Sequence, residues 1–289
     1  MELLAPAKVN LSLRVLGRRE DGFHDIDSLV TPVTVFDRLT FELRDEGGLN
    51  FACDDPSVPS SEENLVVRAV RLFCAEIGLE PHVTIRLEKR IPHGAGLGGG
   101  SSDAAITLVG LNQIFRTELP NQTLLSLAAD LGSDVPFFVQ GRAARIQGRG
   151  ERVEAVDFPH RLPLLLIKPP FAVATPWAYQ RWRESRELPG VRYHPQTQRW
   201  GELVNDLERP VFEKHLLLPA LKEWLLRQPE VSGALMSGSG STVFAVLQEY
   251  SGGVALGERV GQEFGQAMWC HLAETLPTPN VSDQKIGQG

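Results

Sequence analysis

Two α+β halves are what this sequence predicts, and three observations predict them. The chain has 289 residues, long for a single core. Stretches of period two alternate along it with stretches of helical period, and neither recurs at a fixed interval. Near residues 156–162 the pattern breaks, with Pro159 inside the break and Pro163 just after it. A boundary there gives domains of residues 1–157 and 158–289.

The elements follow in order. Ala5, Ala7, Val9, Leu11, Leu13 and Val15 alternate with Lys8, Asn10, Ser12 and Arg14, which predicts a half-buried strand with Lys8 and Asn10 on its polar face. Gly17 ends it, "DGFHDIDSL" (21–29) turns into a second strand, and "DRLTFEL" (37–43) predicts a third. Val66, Val70, Phe73 and Ile77 predict a helix over 64–78 stopped by Gly78. "HVTIRLEK" (82–89) alternates as a strand, and "PHGAGLGGGSSDAA" (92–105) leads into a helix that Ser101 or Ser102 can cap, with Asp103 in its first turn. "TLLSLAADLG" (123–132) predicts another helix, and "RAARIQGRGERVEAV" (142–156) a strand, turn and strand. In the second half "LPLLLIKP" (162–169) predicts a buried strand, and "TPWAYQRWRE" and "PALKEWLLRQ" predict helices. "GALMSGSGSTVFAVLQ" (233–248) reads as strand, turn and strand, followed by a glycine-interrupted helix and a short closing strand.

Composition excludes several classes. A net charge of −7 leaves no broad basic face for nucleic acid. Cys53, Cys74 and Cys270 are an odd, scattered set without metal-ligand spacing or a disulfide framework, which fits a reducing cytoplasm. "MELLAPAKV" is too short in apolar residues for a signal peptide, and "LPLLLI" (162–167) is too short to span a bilayer. The sequon at Asn280 therefore carries no weight, and the polar tail from Pro277 is expected to fray.

Glycine at 94, 96, 98, 99 and 100 leaves the backbone bare just ahead of a helix, where exposed N–H groups and the helix dipole favour an anion. A Walker A loop is excluded because no lysine follows the glycines. Gly94, Gly96 and Gly99 formally match a dinucleotide fingerprint, but a second helix follows where a strand ending in an acid is needed. H-R-D and D-F-G, required of a protein kinase, are missing. Tight apolar flanks and Leu97 argue against a flexible linker.

The segment Pro92–Ala105 resembles the phosphate loop of the GHMP kinases, P-x-x-x-G-L-G-S-S. Its "GLGGGSSDAA" is similar to the branch that phosphorylates 4-diphosphocytidyl-2-C-methyl-D-erythritol on the non-mevalonate route to isoprenoids. "APAKVNLSLRV", "DGFHDIDSL", "ENLVVRA", "GSDVPFF", "GRGE", "NDLE" and "MSGSGST" resemble further blocks of that branch, in order, over roughly residues 1 to 245.

The resemblance implies an N-terminal α+β nucleotide-binding domain, a ferredoxin-like C-terminal domain, and a cytoplasmic kinase using ATP and Mg²⁺ with its site in the cleft between the domains. No obligatory protein partner follows from it, nor any side chain assigned to the metal. Lys8 and Asp134 become the catalytic pair. Asp134 would take or orient the proton of the acceptor hydroxyl, and Lys8 would hold Asp134 and offset phosphoryl charge. Read without the resemblance, Lys8 is a solvated lysine and Asp134 a helix cap. ATP would lie along Pro92, His93, Gly94, Ala95, Gly96, Leu97, Gly98, Gly99, Gly100, Ser101 and Ser102, with Asn64, Leu65, Val66 and Lys89 on the adenine side.

The same resemblance assigns Asn10, Phe23, His24 and Tyr179 to the acceptor, with Asn10 at the erythritol hydroxyls, Phe23 and Tyr179 stacking on cytosine and His24 reading its edge. Phe23 stands where the branch usually has tyrosine, which keeps the stacking face and loses the hydroxyl's polar contact. His93 stands where an apolar residue is usual. Gly238, Ser239 and Gly240 are either a hairpin tip or a loop closing over the diphosphate. Two other readings remain, a homoserine- or mevalonate-type kinase and a nucleotide-binding regulatory module without turnover. The pair Phe23–His24 favours a nucleotide-bearing acceptor, and Lys8 with Asp134 favours turnover.

Overall fold

The computed structural model describes residues 1–277, so the tail and its sequon lie outside the described residues. Two compact units are each built from separate segments. The first comprises Met1–Lys8, Val35–His93 and Gly98–Gly141, and the second Val9–Thr34, Gly94–Leu97 and the chain from Arg142 onward. Strands β1 (Glu2–Arg18) and β2 (His24–Leu43) each contribute to both.

In the first unit β3 (Gly48–Cys53) runs parallel to β4 (His82–Glu88), and β4 is antiparallel to β2 with Leu39 opposite Leu87. Helices α1 (Leu65–Glu76), α2 (Gly99–Ile114), α3 (Asn121–Leu131) and α4 (Val135–Gln140) complete it. Val66, Val70 and Phe73 are buried, as their spacing predicts, and Gly78 leaves α1 at φ 67°. Phe41 and Phe73 are fully buried, each contributing roughly 1.5–3 kcal/mol of apolar transfer. Gly110 lets α2 lie directly on β2, because a Cβ there would stand 2.7 Å from the Phe41 ring.

Three expectations need correction. The second and third strands are one strand of 20 residues, because Val30, Thr31, Val33, Thr34 and Val35 favour extended chain and Pro32 removes only one donor. Neither Ser101 nor Ser102 caps α2. Gly98 occupies the cap at φ 73° and its carbonyl accepts the Ser102 N–H at 2.9 Å, so both serines fall inside the first turn and Asp103, expected in that turn, falls just beyond it. The polar face of β1 is not solvated at Lys8 and Asn10, since every residue from Ala7 to Leu11 is buried.

In the second unit β5 (Ala144–Gly148) and β6 (Arg152–Ala155) form the expected hairpin, and β5 pairs with β2 with Ile26 opposite Gly148. β7 (Pro163–Lys168) is buried from Leu164 to Ile167. After α5 (Thr175–Trp182) come β8 (Gln196–Gln198), β9 (Gly201–Asn205), α6 (Glu208–Lys214) and α7 (Leu217–Leu225). Strands β10 (Val231–Met236) and β11 (Val243–Leu247), helix α8 (Gly253–Phe264) and β12 (Trp269–Glu274) follow. The sheet order β10-β11-β7-β12, antiparallel throughout, with helices in the β7–β10 and β11–β12 connections, is the ferredoxin-like arrangement. β9 lies parallel to β1, with Ser12 opposite Val204. β3, α4, β8, β9 and α6 carry no periodic signal in the sequence, being six, six, three, five and seven residues long.

Candidate active site

The glycine loop is a left-handed stair with apolar treads. Gly94, Gly96 and Gly98 take φ values of 61°, 76° and 73°, while Ala95 and Leu97 between them are buried to 2% and 1% exposure. Residues with a side chain resist that backbone region, so the alternation is written directly in "GAGLG". Gly94–Leu97 belongs to the second unit and rests on the turn between β10 and β11. Ser237 Oγ donates to the Gly96 carbonyl at 3.1 Å, and the Thr242 N–H donates to the Ala95 carbonyl at 3.1 Å. A Cβ on Gly96 would stand 2.3 Å from the Ser237 carbonyl oxygen.

From Gly98 the loop belongs to the first unit. A Cβ at Gly98 would stand 2.7 Å from the Phe138 ring and 3.1 Å from Lys8 Cγ, and one at Gly99 would stand 3.0 Å from Ile91 and 3.3 Å from Lys89 Nζ. Gly100 is open, with nothing nearer than Leu65 Cδ1 at 4.0 Å. The N–H groups of Gly99, Gly100 and Ser101 head α2 with no carbonyl a turn earlier to receive them, at the positive end of the helix. Ser101 is half-buried. Ser102 is wholly buried, and its hydroxyl has no hydrogen-bond partner among the described residues. Pro92 is half-buried and His93 exposed at the loop's entrance.

Lys8 reaches the same place from β1. It is 6% exposed, burial holds its ammonium below the usual lysine range, and the charge of Asp134 opposes that shift. Asp134 directly precedes α4 and its side chain makes no capping bond. The loop glycine Gly98 lies against both Lys8 and Phe138 of α4. Strand, helix start and short helix thus converge on a lysine, an aspartate and a set of backbone donors.

The residues expected on the adenine side are engaged in structure. Asn64 caps α1, its Oδ1 accepting the Val66 N–H at 2.8 Å and its Nδ2 donating to the Pro59 carbonyl at 2.7 Å. Val66 is buried, and Leu65 stands beside open Gly100. Lys89 donates to Asp37 and, at 2.8 Å, to Asp103. Burial works against its charge, but the two carboxylates outweigh burial and raise its pKa. Sequence reading missed both partners, although Asp103 lies within "SSDAA".

The second unit holds the residues expected at the acceptor. His24 is 8% exposed, its ring centroid 5.5 Å from Tyr179 and 6.2 Å from Trp182. Burial, with Arg18 nearby, lowers its pKa and favours the neutral imidazole. Phe23 is 53% exposed and takes a different partner, the Arg149 guanidinium 5.3 Å above its ring. Arg149 lies in "GRGE", which the sequence singled out as a block without giving it a task. Asn10 is buried, and its Nδ2 donates to Ser28 Oγ at 2.8 Å. Gly238, Ser239 and Gly240 do form a hairpin tip, closed by Gly240 N–H to Ser237 carbonyl at 3.0 Å, and Ser239 Oγ meets Thr175 Oγ1 at 2.7 Å. Among the described residues, no group of three or more His, Cys, Asp or Glu could hold a metal, and no helix is long and apolar enough to cross a membrane.

Known proteins share this architecture and sequence. The family models for the GHMP kinases N terminal domain and the GHMP kinases C terminal match residues 64–142 and 194–266. The 4-diphosphocytidyl-2-C-methyl-D-erythritol kinase of Methylacidiphilum infernorum is 43% identical over 246 residues, covering 85% of each chain. That of Synechococcus sp. is 42% identical over 262 residues, covering 85% of this chain and 84% of its own. A crystal structure of 4-(cytidine 5'-diphospho)-2C-methyl-D-erythritol kinase superposes with a TM-score of 0.80 at 37% identity, over 96% of this chain and 100% of that one. Homoserine kinase from Cytophaga hutchinsonii shares the fold, with a TM-score of 0.64 at 21% identity over 96% of this chain and 94% of its own.

Proposed function

Since the chain belongs to the GHMP kinases, within the 4-diphosphocytidyl-2-C-methyl-D-erythritol kinase family, we propose that it transfers the γ-phosphoryl group of ATP to the 2-hydroxyl of 4-diphosphocytidyl-2-C-methyl-D-erythritol. The convergence of Lys8, Asp134 and the N-terminus of α2 around Gly98 carries this reading. Backbone N–H groups from Gly96 to Ser102 hold the β- and γ-phosphates, and open Gly100 leaves room for them. Asp134, free of a capping role, orients the acceptor hydroxyl and receives its proton as the new O–P bond forms and the bond to the leaving ADP oxygen breaks. Lys8 offsets charge on the transferring group and fixes Asp134.

Mg²⁺ supplies charge neutralisation on the phosphate oxygens. The residues present fit it, since the orphaned Ser102 hydroxyl and the half-buried Ser101 hydroxyl offer oxygen ligands or partners for its waters. His24 and Tyr179 form an aromatic wall suited to cytosine, with the neutral imidazole able both to donate and to accept. Phe23 with Arg149 offers a second face, and Asn10 the erythritol contact. Asn64, Leu65, Val66 and Lys89 stay assigned to the adenine side. The division at residues 157 and 158 is part of the proposal, supported by its position between the two family matches, as is a cytoplasmic setting.

ADP release with the cytidine-diphosphate methylerythritol as acceptor, beside homoserine, mevalonate and galactose, tests the reading. Turnover on the first alone is expected, falling about 10²–10⁴-fold in Asp134→Ala. Turnover on another acceptor overturns the cytosine wall, and ATP binding without turnover on any of them revives a regulatory module.

A further inference from the structure

Behind the tip of the β10–β11 turn sits a buried polar cluster to which the proposed chemistry assigns no task. Asn205, the last residue of β9, is 4% exposed and donates through Nδ2 to the Met236 carbonyl at 2.7 Å and the Gly238 carbonyl at 2.8 Å. Its Oδ1 accepts the Leu207 N–H at 2.9 Å. Glu208, the first residue of α6, accepts the Met236 N–H at 3.0 Å through Oε1 and the Lys222 ammonium at 2.5 Å through Oε2. Lys222, from α7, also donates to the Arg192 carbonyl at 2.6 Å. Glu208 and Lys222 are each 1% exposed.

Both polar backbone groups of Met236 therefore go to side chains from other elements, at the residue where β10 becomes the turn. The next residue, Ser237, carries the hydroxyl that holds Gly96 and the carbonyl that leaves Gly96 no room for a Cβ. A buried ion pair is seldom worth more to stability than apolar side chains of equal volume. Its geometry is worth more where a backbone must be fixed.

We propose that Asn205, Glu208 and Lys222 are positioning residues that set the Met236–Gly238 backbone and, through Ser237, the first half of the phosphate-binding loop. The proposal rests on the reading that this loop holds ATP. Asn205 supplies the donors, Glu208 the acceptor, and Lys222 holds that acceptor in place through its ammonium.

Paired variants isolate the positioning role from plain stability. Glu208→Gln with Lys222→Met removes both charges but keeps an oxygen for the Met236 N–H. Glu208→Leu with Lys222→Met removes that oxygen as well. Titration with a fluorescent ATP analogue, without acceptor, is expected to give near wild-type affinity for the first pair and about tenfold weaker affinity for the second, one hydrogen bond's worth. Faster amide exchange in peptides covering 94–97 and 236–242 is expected in the second pair alone. Asn205→Asp, isosteric and without the two donors, is expected to behave as the second pair does. Should a pair fail to fold by thermal melting, this variant decides. Wild-type affinity and exchange in every folded variant would overturn the proposal. A wild-type chain that binds no ATP overturns the underlying reading, and the proposal with it, and is recognised before any variant is compared.

Discussion

Lys8 and Lys89 stand under neighbouring glycines of one loop and are treated in opposite ways. A Cβ on Gly98 would stand 3.1 Å from the stem of Lys8, and one on Gly99 would stand 3.3 Å from the ammonium of Lys89. Lys89 is bound by two carboxylates, Asp37 and Asp103, and Asp37 also accepts the N–H groups of Arg90 and Ile91. Its charge is over-compensated. At Lys8 the cost of burial outweighs the pull of Asp134, and its charge is under-compensated. An over-compensated ammonium anchors structure. An under-compensated one gains most when further negative charge arrives, which is what the transferring phosphoryl group would bring under the role proposed for Lys8.

Breaking each site should separate these roles. Lys89→Met leaves the buried Asp37 and Asp103 carboxyls without their cation, and a loss of about 3–5 kcal/mol is expected in denaturant unfolding. Lys8→Met should lower kcat about 10²–10³-fold while the melting temperature stays level or rises, because a disfavoured buried charge is removed. The pH profile of kcat should sharpen the contrast. Its alkaline limb is expected below the usual lysine range in wild type and higher in Lys8→Arg, and an unmoved limb would assign it to another group.

Asp103 offers a pH-resolved effect. Burial, opposed by Lys89, pushes its carboxyl up to about 7 from an ordinary 3.8. The folded chain therefore holds a proton there that the unfolded chain releases, and this contribution to stability is lost as pH rises through that interval. Asp103→Asn should flatten the dependence, seen as similar unfolding midpoints at pH 4.5 and 7.5. The smallest structural effect is expected from Gly100→Ala. The site is open and helical, so the melting temperature should hold or rise slightly. A fall in ATP affinity in that variant would then report crowding of the ligand alone, whereas Gly98→Ala must also disturb Phe138 and Lys8.

How much of this is visible in the sequence follows from distance along the chain. The glycine stair, α1 and its stop, and the β5–β6 hairpin are local, and their residue types declare them. The ferredoxin-like sheet and the pair Lys8–Asp134 came from resemblance, not from periodicity. The partners of Lys89 lie 52 and 14 residues away, and those of Asn205 lie 31 and 33 residues away, beyond the reach of any window of periodicity. Strands as short as β8 and β9 carry too few alternations to register. The long β2 reads as two strands because the alternation of "DRLTFEL" is clear while the run "VTPVTV" before it has no period-two pattern.

The parallel pairing of β1 with β9 has a consequence for the chain's birth. The Val15 N–H donates to Asp206, 191 residues later in the sequence. At a ribosome's pace of roughly 5–20 residues per second, the first strand must wait on the order of 10–40 s for that neighbour to be made. For this interval the Ser12–Val15 stretch of β1 lacks its parallel neighbour, an unpaired backbone edge that closes only once residues 204–206 have been made.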